Sequence, residues 1–173
     1  WSQPVNVSRS GAASQPQVVA GADGLVQILW WDEFDGLMTV YGGGTSWTDP
    51  ERAPIVIAQV IGEGAGAEVV RSPIQAMPSI FKGRRHAHAF WLGDADQETG
   101  IRPLLHSRLA LGSTTWSEPR EVAQTARVWK MIAGADGTLH LLFLRPLHAE
   151  QAEAGIYYQR STDGGASWSA PVP

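Results

Sequence analysis

The chain has 173 residues, of which 43% are apolar and 17% are charged, and this composition is typical of an ordered domain rather than a disordered segment. Its formal net charge of −4 does not favour nucleic acid as a partner, because a phosphate backbone attracts clustered Lys and Arg. The lack of cysteine excludes disulfides and thiolate metal sites, and no apolar run is long enough to predict a membrane span.

The first feature along the chain is Trp1-Ser2-Gln3-Pro4, a tryptophan followed by Ser or Thr and then, one residue later, by Pro. The same pattern begins at Trp47, Trp116 and Trp168. Proline suits an outer strand, where a missing N–H costs little and pairing with another chain is discouraged. We therefore expect residues 1–7 to form the outer strand of a preceding sheet, and each later copy to end a sheet of its own.

A hairpin pattern repeats between these tryptophan marks. Residues 18–31 contain an apolar run, an Asp-Gly turn and a second apolar run. Residues 131–144 repeat this order with an identical Gly-Ala-Asp-Gly, and residues 79–92 form a looser copy. Glycine supplies the positive φ that tight hairpin turns need. Because the runs are apolar on both faces, we expect their strands to be covered on both sides.

These repeats predict an all-β fold with about three four-stranded antiparallel sheets in one domain. The predicted sheets occupy residues 14–58, 74–122 and 127–173. The longest interval between tryptophan marks contains a Gly/Ala-rich insert at 62–67, and we expect residues 60–78 to form a loop between sheets.

The segment Ser161-Thr162-Asp163-Gly164-Gly165-Ala166-Ser167-Trp168 matches the pattern Ser-x-Asp-x-Gly-x-x-Trp at all four fixed positions. It resembles the Asp-box, or BNR repeat, of sialidase-like β-propellers. The resemblance implies that the three sheets are blades of a ring of six blades or more, completed by further blades or by self-association. It also implies a structural role in a turn for four residues: Ser161, Asp163, Gly165 and Trp168.

In propellers of this kind the ligand binds at the end of the sheets opposite the Asp-boxes. The resemblance therefore places a binding surface here on the loops 31–36, 93–102 and 145–155, together with the segment before the third sheet. Four residues of this surface are candidate ligand contacts: Trp31, Asp32, Asp35 and Arg127. Arg127 is a candidate because a guanidinium group pairs well with a carboxylate. The resemblance implies a glycan or a protein surface as the partner. It also implies an extracellular, cell-surface or periplasmic location.

The family also implies an alternative function, a sialidase-type exo-glycoside hydrolase completed by missing blades or a second chain. Asp32 is then the candidate acid/base, or else a carboxylate that caps the turn ending at Gly36. Ser14 stands where the family's Arg-Ile-Pro motif has its arginine. We therefore predict a scaffold or binding module without a complete catalytic set and without a cofactor.

A metal site is not predicted either. His86 and His88 have a spacing that a metal could use on one face of a strand. However, His88 aligns with Gln27 and His140 in the other repeats, and this favours packing between sheets.

Overall fold

The computed structural model describes residues 3–20, 24–43, 45–61, 68–74, 76–110, 112–113, 115–147 and 153–173. These residues form fourteen strands and no helix. In chain order the strands are β1 (Ala13–Ala20), β2 (Val26–Asp32), β3 (Gly36–Gly43), β4 (Ser46–Trp47), β5 (Glu51–Arg52), β6 (Val56–Ile61), β7 (Glu68–Pro73), β8 (Ser79–Lys82), β9 (His86–Leu92), β10 (Leu104–Ala110), β11 (Arg120–Ala123), β12 (Val128–Ala133), β13 (Leu139–Arg145) and β14 (Gly155–Ser161).

The strands form three antiparallel sheets and a separate hairpin. Sheet one has the order β1-β2-β3-β4, with β5 also paired to β3. Sheet two has the order β11-β10-β9-β8, and sheet three the order β12-β13-β14. A single bridge from Tyr158 to Val172 adds the last residues to the edge of sheet three. The prediction of an all-β fold with repeated antiparallel sheets is confirmed.

The hairpin turns follow the repeated glycines. Ala20 pairs with Val26 and Ala133 pairs with Leu139, so that both turns have the same length. Gly24 and Gly137 adopt positive φ values of 83° and 90°, as the Asp-Gly pattern predicts. In sheet two, Lys82 pairs with Ala87 and the turn is one residue shorter.

Two stretches differ from the sequence-based predictions. Residues 3–7 form no strand, while Trp1 and Ser2 lie outside the described residues. Within residues 60–78, predicted as a loop, β7 pairs with β6 in a two-stranded hairpin. The reason is local, since the β-branched residues Val56, Ile57, Val60 and Ile61 favour a strand.

Two apolar clusters join the sheets in chain order. Cluster one combines Leu29 and Leu37 of sheet one with Trp91 and Trp116 of sheet two. Cluster two combines sheet two with sheet three, and its members include Phe90, Leu104, Leu141 and Phe143. At one edge of the stack, β8 contacts both β1 and β12. Sheet two is therefore covered on both faces.

Candidate functional site

Residues 161–168 at the end of sheet three form a closed turn held by its own side chains, called the 161–168 turn below. The Asp163 carboxylate accepts hydrogen bonds from the Ser167 N–H at 2.9 Å and the Ser167 hydroxyl at 2.6 Å. The Ser161 hydroxyl donates to Asp163 at 2.8 Å and accepts from the Gly165 N–H at 2.8 Å. The donors at Ser167 hold the pKa of the Asp163 carboxyl well below its usual range. These contacts are all made within the turn itself, and a structural role for its residues stays a prediction.

This turn packs against sheet two. The Trp168 ring meets Phe90 and His106 edge to face, with centroid distances of 6.0 and 5.7 Å. Gly165 approaches so closely that an added Cβ would lie 2.8 Å from Cε1 of His106. Gly165 also has a φ of 82°, which side chains rarely adopt. Glycine is thus needed here for both its backbone angle and its size.

All three sheets make the same pair of hydrogen bonds directly after their tryptophan. In each sheet the residue after the tryptophan donates its N–H to a carbonyl of the third strand, and its hydroxyl accepts the N–H of that same strand residue. The pairs are Thr48 with Tyr41, Ser117 with Arg108, and Ser169 with Arg160. The Ser or Thr of the tryptophan mark is therefore a structural element of all three sheets that the structure describes.

Two stacked histidines lie under the 161–168 turn. His88 and His106 approach within 3.0 Å through Nδ1 and Nε2, and their rings are nearly parallel. Burial, followed by the positive charge of His86, lowers the pKa of His88 to about 4. Burial, followed by the charge of His88, lowers the pKa of His106 to about 3. Packing between sheets, which the repeat alignment favours for His88, is confirmed by its burial.

Beside the histidines, the 161–168 turn and sheet two line a cavity of about 240 Å³. Arg108 donates from Nη1 to the carbonyl of Gly164 at 3.1 Å, and Arg120 donates to that of Ala166 at 3.0 Å. Both arginines thereby tie sheet two to the turn of sheet three. Sequence reasoning missed them, because neither lies in a motif and their partners are main-chain carbonyls of another sheet.

Asp32 is the last residue of β2, so it lies at the end of sheet one that is opposite the turn between β1 and β2. Its carboxylate accepts the Ser10 hydroxyl at 2.6 Å and the N–H groups of Phe34 and Asp35 at 3.0 and 3.3 Å. The Ser10 bond and then the Phe34 bond lower the pKa of Asp32. A general acid needs a raised pKa, so this geometry fits the turn-capping alternative.

The other three candidate residues have different surroundings. Trp31 is half-buried and packs against cluster one. Asp35 is exposed and lies 3.8 Å from the Arg52 guanidinium. Arg127 is exposed, immediately before β12, and its N–H donates to the Leu144 carbonyl at 2.9 Å. Within the part of the chain that the structure describes, no hydrogen bond or ion pair joins Arg127 to the loop 32–36.

Phe34 is a further candidate that sequence reasoning missed. It lies between Asp32 and Asp35 with 82% of its surface exposed. The only signal in the sequence is an aromatic residue inside an acidic turn, since such a turn is solvent-exposed and gives the ring no sheet to pack against.

Neither a metal centre nor a membrane helix is found among the described residues. No group of three or more His, Asp or Glu there could hold a metal ion. No helix there is long and apolar enough to cross a membrane.

No family model and no curated protein matches this sequence. Among solved structures, the chain is similar to a polysaccharide lyase of family PL25, an ulvan lyase, with 14% identity and a TM-score of 0.55. The match covers 98% of this chain and 38% of the lyase, and a second structure of that lyase, bound to -[GlcA(1-4)Rha3S]-, matches equally well. A protein of unknown function from Dyadobacter fermentans matches with 13% identity over 93% of this chain and 68% of its own, with a TM-score of 0.44. The chain thus spans well under half of the lyase, and the likeness concerns the all-β fold alone.

Proposed function

We propose that this chain is a segment of an Asp-box β-propeller, about three blades long, that serves as a scaffold for binding carbohydrate. One observation carries the proposal: the tryptophans that end sheets two and three, Trp116 and Trp168, each pack between their own sheet and the preceding one. Stacking of this kind uses the faces of the sheets and leaves the loops at their ends available for a ligand. Propellers are built by such radial repetition of small sheets.

The proposed binding surface is the end of the sheets that carries the loops 32–36 and 93–103 and the segment around Arg127. Phe34 offers an exposed aromatic ring, and Arg127 offers an exposed guanidinium. A sugar ring can lie against an aromatic face while its hydroxyls bind charged and polar groups at the rim. Asp35 would accept such hydroxyl bonds, and Trp31 would support the loop from below.

Carbohydrate is proposed because the chain is similar in fold to a polysaccharide lyase, whereas the kind of glycan is inferred from the charge of this surface alone. Carboxylates outnumber guanidinium groups in these loops, which contain Asp32, Glu33, Asp35, Asp94, Asp96, Glu98, Arg102 and Arg127. Their repulsion disfavours a polymer of uronic acids or sulphated sugars. We therefore expect neutral glycans to bind better than acidic ones.

The alternative function, sialidase-type hydrolysis, has less support from the site. Asp32 is saturated by three donors and its pKa is lowered, whereas an acid/base catalyst needs a proton to give. It would also need an arginine cluster, which the described loop ends do not bring together around Asp32.

A glycan array followed by calorimetry tests the proposal. The wild-type chain should bind at least one neutral glycan, and Arg127→Ala and Phe34→Ser should each weaken binding about tenfold, through loss of a charged hydrogen bond or of apolar contact. Arg85→Ala is the matched control, because Arg85 is an exposed arginine at the opposite end of sheet two.

Three results would contradict this assignment. They are no binding to any glycan, equal binding by the Arg127 and Phe34 variants, or an equal loss in the Arg85 control. Turnover of a fluorogenic sialoside that disappears in Asp32→Asn would instead establish the hydrolase alternative. Capture of a protein with no glycan binding would assign the surface to a protein partner.

A further inference from the structure

The cavity between sheet two and the 161–168 turn has a wall that carries two arginines. Arg108 lies two residues after His106 on β10, and Arg120 pairs with His106 across β10 and β11. Side chains at such positions share one face of a sheet, so both arginines lie on the face of sheet two that meets sheet three. Together with His106, Ser117 and Glu118 they supply the polar side chains of the lining. This cavity is at the opposite end of the sheets from the proposed glycan surface.

Main-chain carbonyls hold both guanidinium groups in place without using all of their donors. The bonds to Gly164 and Ala166 both start from Nη1, of Arg108 and Arg120 respectively. A guanidinium carries five N–H donors, and within the described residues no hydrogen bond uses Nη2 or Nε of either arginine. Because the two groups are already oriented, little further side-chain freedom is lost when they bind an acceptor.

The charged groups of the lining leave a net positive charge in the cavity. Two guanidinium groups face one carboxylate, that of Glu118. His106 adds no charge at neutral pH, because burial lowers its pKa to about 3. Even when Glu118 is counted against one arginine, one positive charge is left. A ligand with a single negative charge would balance it.

We propose that this cavity binds a single sugar unit that carries one negative charge, as a carboxylate or as a sulphate ester. Guanidinium groups bind such oxyanions through paired, charge-assisted N–H bonds. The volume of about 240 Å³ is below the range of roughly 300–1,000 Å³ that drug-sized ligands occupy, so the bound unit is small. The hydroxyl of Ser117 and the carboxylate of Glu118 suit the hydroxyl groups of a sugar better than an apolar body. A phosphate ester, with a charge between about −1.5 and −2, is matched less well.

Titration calorimetry of the 173-residue chain with glucuronate and with glucose 6-sulphate tests the site, and the two ligands distinguish the carboxylate from the sulphate. At least one should bind, and excess glucose, which lacks the acid group, should not compete. Arg108→Gln and Arg120→Gln should each weaken binding about tenfold, through loss of a charged hydrogen bond. Arg160→Gln is the matched control and should bind like the wild type. Arg160 is the exposed counterpart of Arg108 in sheet three and does not line the cavity.

A variant that gains affinity separates recognition from folding. Glu118→Gln removes the carboxylate from the lining and leaves both guanidinium groups in place. It should tighten binding of the singly charged sugar about threefold to tenfold, and that of glucose 6-phosphate by more, because each added ligand charge meets less repulsion. A poorly folded variant would not bind more tightly.

Absence of binding by both acidic sugars overturns the site, as does competition by glucose or an equal loss in Arg160→Gln. Unchanged or weaker binding by Glu118→Gln overturns the role of the net charge. If Arg127→Ala abolishes the binding of glucuronate while Arg108→Gln does not, the acid group binds at the loop end and this cavity is not its site. Binding of neutral glycans at the loop end depends on other residues, so it can fail or succeed independently of this site.

Discussion

Gly165 and Gly24 share nearly the same backbone angle but differ in what surrounds them. Their φ values are 82° and 83°. An added Cβ at Gly165 would meet His106 at 2.8 Å and His88 at 3.2 Å, whereas nothing lies within 4 Å of the same position at Gly24. Alanine at Gly24 would therefore meet only the strain of the backbone angle, whereas alanine at Gly165 would meet that strain and a steric clash as well.

We expect Gly24→Ala to lower the free energy of unfolding by about 1 kcal/mol, since a side chain is strained at positive φ. Gly165→Ala should cost about 1–3 kcal/mol more, because the buried histidine rings cannot give way freely. Urea denaturation of both variants measures the difference. Equal losses would show that the 161–168 turn does not pack tightly against sheet two.

Because His88 and His106 are buried together, we expect the free energy of unfolding to decrease at acid pH. The folded pKa values, about 4 for His88 and about 3 for His106, lie below the ordinary value of 6.5. The unfolded chain therefore binds protons first as the pH falls, and stability that is fully present above the unfolded pKa is lost between it and the folded values. We expect a loss on the order of 3 kcal/mol from about pH 7 to about pH 5.

Urea midpoints across this pH range give the measurement. Replacing both residues, His88→Gln with His106→Gln, should flatten the dependence. His140→Gln is the matched control, since His140 is the counterpart of His88 on the open face of sheet three and is only half-buried. If the urea midpoint of the double variant still depends steeply on pH, other titratable groups are the cause.

At the level of single residues, the sequence predicts those that obey the repeat and misses those defined by contacts between repeats. The resemblance of residues 161–168 to an Asp-box singles out Asp163 and Gly165, and the repeat alignment singles out His88 as a packed residue. Arg108 and Arg120 have no motif, because their partners are main-chain carbonyls of another sheet. Asp32 was consistent with two roles, and only its three donors distinguish them.

The element that fixes each sheet is its tryptophan turn. Trp116 is buried in cluster one between sheets one and two, whereas Trp47 is half-buried at the turn of sheet one. Trp116→Ala should lower the free energy of unfolding by about 3–5 kcal/mol, through lost apolar burial and a residual cavity. Trp47→Ala should cost clearly less. Urea denaturation compares the two, and a Trp47 variant at least as unstable as the Trp116 variant would contradict the assignment.

Among the strands, those of the repeated hairpins were predictable because both of their partners are encoded nearby in the chain. The hairpin of β6 and β7 was missed because the Gly/Ala-rich insert between the two strands is typical of a linker. Residues 3–7 form no strand although they follow the tryptophan mark. A strand needs a neighbour to pair with, and the described chain offers them none.

For the molecule as a whole, the sequence predicts which faces are covered but not how many sheets complete the arrangement. Apolar residues on both faces of β9 and β13 indicate two-sided burial, which sheet two attains and sheet three does not. The number of blades in a ring depends on the angle between neighbouring sheets. That angle results from many side-chain contacts at once, so it has no local signature in the sequence.

The position of the tryptophan turns has a consequence for the order of assembly during synthesis. Trp116 follows three of the strands of sheet two, and Trp168 follows all the strands of sheet three, yet each packs against the sheet before its own. A nascent sheet therefore gains this part of its contact with the preceding sheet only after its last turn has left the ribosome. We expect each contact to be completed in order from the N-terminus toward the C-terminus, as is usual for chains that fold while they are made.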